Sequence, residues 1–309
     1  MAVVGDRGNR SDRLVVLGGE GPKHHVGRVW LVGAGPGDPE LLTIKALKAL
    51  QAAQVVVHDG LVSDDILDLA PASARKISVA KRKSRHSYSQ DEINRMLVAF
   101  ALEGLNVVRL KGGDPFIFGR GGEELEACRE AGVECVIIPG VTAALAAGAG
   151  AGAPLTHRGV AQAVTFVTGH AAKGGEPDLD WESLAKANQT VVIYMGVSMA
   201  VPIAARLIEA GRVGSTPALI VENASRADER RIITTLAGLP EAVAAVTGPA
   251  LLIVGEAMAL AQNVPHPLAG EGDHQVVEWA SRRARSVGQR PLHRDAVPLP
   301  RSHGGGTEP

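Results

Sequence analysis

From Arg28 onward, short apolar runs alternate with amphipathic segments: "RVWLV", a helical pattern from Pro39 to Ala53, "QVVVH", a helix from Ser63, "KISVA", a helix from Ser89 to Glu103, "NVVRL", a helix from Gly121, then "ECVII". Apolar strands that each lead into a helix argue for a parallel sheet. The fold class is therefore α/β. After "IPGVTAALAAGAGAGAPLTHRG" the texture changes to "AVTFVTG", "TVVIYMG", "PALIVENAS", "RRIITT" and "PALLIVGEA", with only two convincing helices among them. This predicts a second, more strand-rich α/β domain with a mixed sheet. A chain of 309 residues also exceeds what one hydrophobic core comfortably fills. The expected layout is a disordered N-terminal extension over 1–26, an N-terminal α/β domain over 27–140, a C-terminal α/β domain over 141–262 and a largely disordered tail over 263–309. Both ends are rich in Gly, Arg or Pro and lack periodicity. The Ala/Gly run at the junction is either a flexible linker or a tightly packed helix, and Leu145 and the alanines favour the helix.

Local signals sharpen some elements. Leu41, Ile44, Leu47 and Leu50 fall on one helical face, with Asp38 as N-cap and Pro39 at the first helical position. Ser89 and Glu92 have capping-box spacing.

Composition excludes several function classes. Hydrophobic residues make up 45% and charged residues 21% of the chain, and the net charge is -1. Nothing in that balance draws the whole chain to nucleic acid or to an anionic membrane. Aromatic residues are only 3%, and no basic stripe interleaves with them, against nucleic-acid binding. Cys128 and Cys135 are wrongly spaced for a thiolate zinc site or a CxxC pair and read as reduced structural thiols. "MAVVGDRGNRSDR" has no apolar h-region and no stretch runs 18 apolar residues unbroken, so neither secretion nor membrane spanning is supported and the expected location is the cytoplasm.

The chemistry gathers at strand ends. In "VGAGPGDPELLT", Gly33, Gly35 and Gly37 lie between a strand and a helical pattern, and Asp59 ends the next strand about 20 residues on, the layout of a dinucleotide site. The turn argues against one. A pyrophosphate needs free backbone N–H groups at the helix start, whereas Pro36 and Pro39 donate nothing and Asp38 adds a negative charge. The loop suits an unphosphorylated ligand; a tight turn with no ligand is the plainer alternative. "VVRLKGGDPFIFGRGGEE" repeats the design, with Gly112 and Gly113 letting the backbone approach closely and Asp114-Pro115 turning the chain. Asp114 is a candidate acceptor for a ligand, although an Asx-turn is the better reading of one such residue alone. "VAKRKSRHSYSQ" concentrates Lys81, Arg82, Lys83, Arg85 and His86 after a strand, as a solvated loop or as a dock for a polyanion. Asp59 is a candidate general base or a turn-forming aspartate. No HxxxH, HExxH or GxSxG pattern appears, so neither a metal nor a serine hydrolase is expected.

Taken together, "VGAGPGDPELLT", "VVVHDGLVS", "RLKGGDPFIFGRGGEE", "PGVTAALAAGAGAGAPLTHRG", "VTFVTGH", "VVIYMG" and "VENASRADERR" closely resemble the uroporphyrinogen-III C-methyltransferase family of the tetrapyrrole methyltransferase superfamily. The similarity runs from about Arg28 to Leu260 with the blocks in the family's order. It implies two α/β domains of the tetrapyrrole methylase type with the active site in the cleft between them. It also implies S-adenosylmethionine as methyl donor, no metal, a homodimer, and uroporphyrinogen III as acceptor. By the family pattern, donor contacts fall on Pro36, Gly112, Gly113, Asp114, Ile117, Thr142, Ala143, Met195 and Ala224. Asp59 matches the proton acceptor and Lys81 the proton donor. Arg82, Arg85 and His86, with Arg109, Lys111 and Arg120, become candidates to meet the acidic arms of the macrocycle. A sulfonium donor carries no phosphate, which accounts for Pro36 and Asp38. The sequence departs from the common family form at Gly60, where arginine is frequent, and at Ala224, often glycine.

The implied reaction is two methylations to precorrin-2, on the route to sirohaem and, in some organisms, cobalamin. Because about 26 residues precede the first strand, the dehydrogenase and ferrochelatase steps fused to some relatives are expected elsewhere. Three rivals remain: a methyltransferase for a later precorrin, an NAD-dependent oxidoreductase, and a non-catalytic binding protein that keeps the fold.

Overall fold

The computed structural model describes residues 25–80, 88–171 and 174–263. Expectations placed on Lys81, Arg82, Arg85 and His86, and on both ends of the chain, fall outside the described residues. The first sheet contains β1 (Arg28–Gly33), β2 (Val55–His58), β3 (Arg75–Ser78), β4 (Asn106–Lys111) and β5 (Glu134–Ile138). All of its pairings are parallel, and the strand order is β3-β2-β4-β1-β5.

Side-chain alternation along these strands divides their apolar residues between two layers of helices. Val56, Val108 and Leu110 pack with Ala46, Ala49 and Leu50 of α1 (Ile44–Gln51) and Ile66 and Leu67 of α2 (Asp64–Leu67). Val57 and Val107, on the other face, pack with Ile93, Leu97 and Ala101 of α3 (Gln90–Leu102) and Cys128 of α4 (Gly121–Glu130). The capping box of α3 forms as expected, with Glu92 N donating to Ser89 Oγ at 3.2 Å and Ser89 N to Glu92 Oε2 at 2.7 Å. Cys128 and Cys135 are both free thiols.

One expected helix divides. Asp38 caps a single 3-10 turn, Pro39–Leu41, through a 2.8 Å bond from Glu40 N to its Oδ1. Leu42 and Thr43 are then extended, and Thr43 Oγ1 accepts from Ala46 N at 3.1 Å to start α1 afresh. The break rotates the apolar face. Ile44 is 73% exposed, while Leu41 packs against a core of the second sheet.

That sheet is mixed, as expected. It holds β6 (Ala163–Thr168), β7 (Gln189–Tyr194), β8 (Pro217–Glu222), β9 (Arg230–Thr235) and β10 (Ala250–Val254) in the order β6-β7-β10-β8-β9. Only β6 and β7 run parallel. The Ala/Gly run is a helix, α5 (Ala143–Gly150), whose small residues pack flush against Val192, Val221 and Ile253. The opposite face carries α6 (Trp181–Ala185), α7 (Ala200–Glu209) and α8 (Leu239–Ala242), meeting Val191, Ile220 and Leu252.

Among the described residues no helix is long and apolar enough to cross a membrane.

Candidate active site

Loops leaving β1, β4 and β5 are drawn together at the C-terminal edge of the first sheet. Ala34 N donates to Lys111 O at 2.7 Å, and Gly35 and Gly113 exchange backbone bonds of 3.2 and 2.7 Å. The chain reverses its direction across the sheet between β1 and β4, and such switch points are where open α/β sheets take ligands. A Cβ on Gly33 would lie 2.5 Å from Gly140 N and 2.6 Å from Gly113 O. Gly113 itself has φ +68°, in the left-handed region that glycine enters without strain.

The paired glycines face different neighbours. A Cβ on Gly112 would meet Leu61 Cβ at 2.7 Å and Asp59 Oδ1 at 3.7 Å, whereas one on Gly113 would stand 3.8 Å from Thr142 Cα and Ala143 N. The loop therefore separates an Asp59 side from a Thr142–Ala143 side. Asp59 is tied to both of its neighbours: Oδ1 accepts from Leu61 N at 2.9 Å and Oδ2 from Gly112 N at 3.2 Å. Asp114 makes the Asx-turn, accepting from Phe116 N at 2.8 Å, and its other oxygen accepts from Gly140 N at 3.1 Å. Ile117 follows in the same turn, its N–H bonded to Asp114 O at 3.4 Å.

The second sheet contributes the opposite wall. Tyr194, at the end of β7, has its hydroxyl 2.6 Å from Thr142 Oγ1 and accepts from Ala144 N at 3.2 Å, fixing the start of α5. Burial raises the Tyr194 pKa and keeps the phenol protonated. Its ring packs 4.9 Å from that of Phe118 on the β4 loop and 5.9 Å from Phe166 on β6. Met195 follows, half exposed at φ +54°. Ala224 is buried between Asn223 and Ser225, at φ +53° and +64°. Non-glycine residues held in the left-handed region concentrate at functional sites, and Phe118 and Arg120, at +51° and +57°, share that conformation here.

Contacts from this wall also reach the loops of the first sheet. Asp38 N donates to Ser225 Oγ at 3.2 Å and Arg226 Nη2 donates to Leu61 O. Within the first sheet's own loops, Ser63 Oγ donates to Gly37 O at 2.9 Å. With Glu40 N taken by the Asp38 carboxylate and two prolines beside it, the loop offers no N–H cradle to a phosphate. It fits an unphosphorylated ligand lying against backbone.

Three expected acceptor contacts stand differently. Arg109 and Lys111 point from β4 into the α3–α4 layer and are buried. Arg109 Nε lies 2.9 Å from Glu124 Oε1 and Lys111 Nζ 3.0 Å from Glu124 Oε2, with the carboxylate fully buried between them. Burial, then Arg109, lowers the Lys111 pKa, and Glu124 and Asp59 act against that shift. Arg120 is exposed and engages Glu123 in a two-pronged pair of 2.7 and 2.6 Å. As placed, the buried pair is structural rather than a docking surface. Tyr194, Phe118, Ser225 and Arg226 were not singled out from the sequence, although in so aromatic-poor a chain an aromatic beside each motif was a usable signal.

Where β8 ends, Glu222 accepts from Thr247 N at 2.8 Å, from Thr247 Oγ1 at 3.2 Å and from Gly248 N, and pairs with Arg230 at 3.2 Å. The backbone bond from Gly248 is the largest cause holding its carboxyl below the ordinary 4.5. A carboxylate with a depressed folded pKa adds stability above its unfolded pKa and loses it as pH falls through the folded value. Glu222→Gln should therefore be less stable than the parent at neutral pH. The gap should close as urea titrations move below about pH 4.5; a gap independent of pH would refute the assignment.

Among the described residues, no group of three or more His, Cys, Asp and Glu side chains is placed to hold a metal ion.

Two α/β sheets meeting over glycine-lined strand-end loops, with an aspartate on one side and the backbone of Thr142 and Ala143 on the other, define a methylase-type architecture. The chain belongs to the tetrapyrrole (corrin/porphyrin) methylases, whose family model matches residues 28–240. It is 49% identical over 261 residues to siroheme synthase 1 of Yersinia enterocolitica, covering 84% of this chain and 54% of that protein. The chain thus spans about half the length of the curated relatives it matches. Uroporphyrin-III C-methyl transferase of Thermus thermophilus, solved with S-adenyl homocysteine, is 45% identical with a TM-score of 0.66, covering 76% of this chain and 100% of that one. A cobalt precorrin-4 methyltransferase is 30% identical with a TM-score of 0.68, over 78% of this chain and 99% of that one.

Proposed function

We propose that the chain is an S-adenosylmethionine-dependent C-methyltransferase that methylates uroporphyrinogen III twice to precorrin-2. The product would serve sirohaem and, where the pathway exists, cobalamin synthesis, with the enzyme acting as a cytoplasmic homodimer. The observation carrying this reading is the likeness to the Thermus enzyme over its entire length at 45% identity, combined with the two-sided glycine loop. Residues 27–140 and 141–262 are read as the two domains flanking the site.

When bound, the donor supplies an electrophilic methyl group. Gly113, Thr142 and Ala143, with Pro36, Gly112, Asp114, Ile117, Met195 and Ala224 around them, offer it backbone and small side chains. Holding two reactants in line contributes about 7–11 kcal/mol to such a transfer. The pyrrole carbon that takes the methyl group carries an acidic arm and no hydrogen, so the compensating proton leaves from elsewhere on the macrocycle; on the other side of the loop Asp59 would accept it, and Lys81 would return one. Arg82, Arg85 and His86 would meet acceptor carboxylates.

The test is anaerobic incubation of purified protein with labelled S-adenosylmethionine and uroporphyrinogen III, with a dimethylated product expected. A second reading, a methylase for a later precorrin, is favoured by the TM-score of 0.68 with the precorrin-4 enzyme. Label transferred only to a later precorrin would establish it instead.

Asp59→Asn should lower kcat by about 10²–10⁴. It also places an amide N–H against Leu61 N or Gly112 N, so some loosening of the loop is expected. Calorimetric affinity for S-adenosylhomocysteine should still change far less than kcat; equal losses would count against a proton-accepting role.

A further inference from the structure

Taking the acceptor to be the carboxylate-rich tetrapyrrole proposed above, we propose that Arg226 is a specificity-determining residue. Its guanidinium, anchored on the Leu61 carbonyl, receives a carboxylate arm of the acceptor.

Arg226 comes from the second sheet but rests on the loops of the first. A Cβ on Gly37 would lie 2.6 Å from Arg226 Cγ and 2.9 Å from its Nε, so the aliphatic stem lies flat on the glycine. The left-handed backbone at Asn223 and Ser225 directs the chain there from the end of β8. The Nη2 bond to Leu61 O sets the charge two residues from Asp59, beside the Leu61 side chain that covers Gly112. This is the Asp59 side of the loop, away from Thr142 and Ala143.

The charge has no acid of its own. Among the described residues Arg226 forms no ion pair. The acid next to Gly37 and those next along the chain are turned elsewhere: Asp38 Oδ1 to Glu40 N, Asp228 Oδ2 to Asn223 Nδ2, and Glu229 to Ser225 N and Arg231. Arg109, Lys111 and Arg120, the cations first expected to serve the acceptor, are each held by a glutamate. A guanidinium has five donors, and a carboxylate matches its planar fork. A single bond to a carbonyl leaves that fork available, half-buried and preorganised. Engaging it would also draw the acceptor against both sheets at once.

The test uses the full chain and titrates uroporphyrin III, the oxidised macrocycle, by fluorescence, and S-adenosylhomocysteine by calorimetry. Arg226→Gln should weaken uroporphyrin III by about tenfold. Arg226→Lys, which keeps the charge and loses the fork, should fall between. Affinity for S-adenosylhomocysteine, which carries a carboxylate of its own, should stay within about twofold in both. An unchanged uroporphyrin affinity in Arg226→Gln, absence of uroporphyrin binding by the parent, or a loss of S-adenosylhomocysteine affinity matching or exceeding that of uroporphyrin would each overturn the assignment. Methylation of uroporphyrinogen III by the parent protein tests the functional reading separately, since it needs no particular behaviour of Arg226.

Discussion

Glu124→Ala should destabilise the protein by about 3–5 kcal/mol, lowering its melting temperature by on the order of 10 °C. The Glu124 carboxylate is fully buried and accepts from Arg109 Nε at 2.9 Å, Lys111 Nζ at 3.1 Å and Gln90 Nε2 at 3.3 Å. Removing it leaves two buried cations facing each other. An unpaired buried charge costs far more than the pair was worth, because desolvation is no longer offset. Against a typical total of about 5–15 kcal/mol, that loss threatens folding at growth temperature.

The loss should depend on pH in a defined direction. Burial lowers the Lys111 pKa from 10.5 even in the parent, where Glu124 opposes the shift. A folded lysine that binds protons less readily than the unfolded one gains stability as pH rises, up to the unfolded value. Without Glu124 the folded value falls further and the window widens downward. Urea titrations of Glu124→Ala between about pH 7 and 10 should therefore show a steeper rise in stability than the parent. Equal slopes would mean that Lys111 has found another partner. Replacing Arg109, Lys111 and Glu124 together with apolar residues of similar volume should restore most of the loss, as buried ion groups often allow.

Gly140→Ala should disrupt the site through backbone crowding, with no charge added or removed. Its Cβ would fall on Gly113 O and 2.8 Å from Gly33 Cα. Both are backbone, so the clash is relieved only by separating the loops that follow β1, β4 and β5. Forcing one methyl into a packed interior costs about 1–3 kcal/mol, and here the strain falls on the Gly35–Gly113 bridge and on the Gly140 bond to Asp114. Affinity for S-adenosylhomocysteine should drop by more than about tenfold, which needs only about 1.4 kcal/mol of that strain. Gly122→Ala is the control: nothing lies within 4 Å of its Cβ position in α4, and stability should rise by about 0.4–1 kcal/mol. Calorimetric affinity left intact in Gly140→Ala would show that the loops are not the binding surface.

Much of this was legible in the residues. Apolar runs such as "QVVVH" and "PALLIVGEA" mark strands that the structure contains as β2 and β10, because burial on both faces demands continuous apolar sequence. The strand-end glycines were readable for the same kind of reason, since only close backbone approach explains so many together. What failed was side-chain destination. Arg109 and Lys111 look like cleft cations when read as the end of a strand, but β4 lies at the centre of its sheet. Odd positions on it face α3 and α4, and Glu124 arrives there through the helix that follows. Leu41 and Ile44 shared a face only while the helix was assumed unbroken; the Thr43 cap divided them. Arg226 and Tyr194 act across from one sheet to the other, and no local pattern encodes that distance.

The order of strands in the second sheet has a consequence for synthesis. Strand β10 sits between β7 and β8, paired to both, although it is the last of the five to be made. Until residues 250–254 leave the ribosome, the central rows of N–H and C=O groups on β7 and β8 have no partner. The nascent chain must therefore hold two exposed strand edges open for a late arrival, a state in which non-local pairing is slow and association with other unfinished chains competes. A nascent chain stalled before Ala250 presents the tyrosine wall of the cleft on an unfinished sheet.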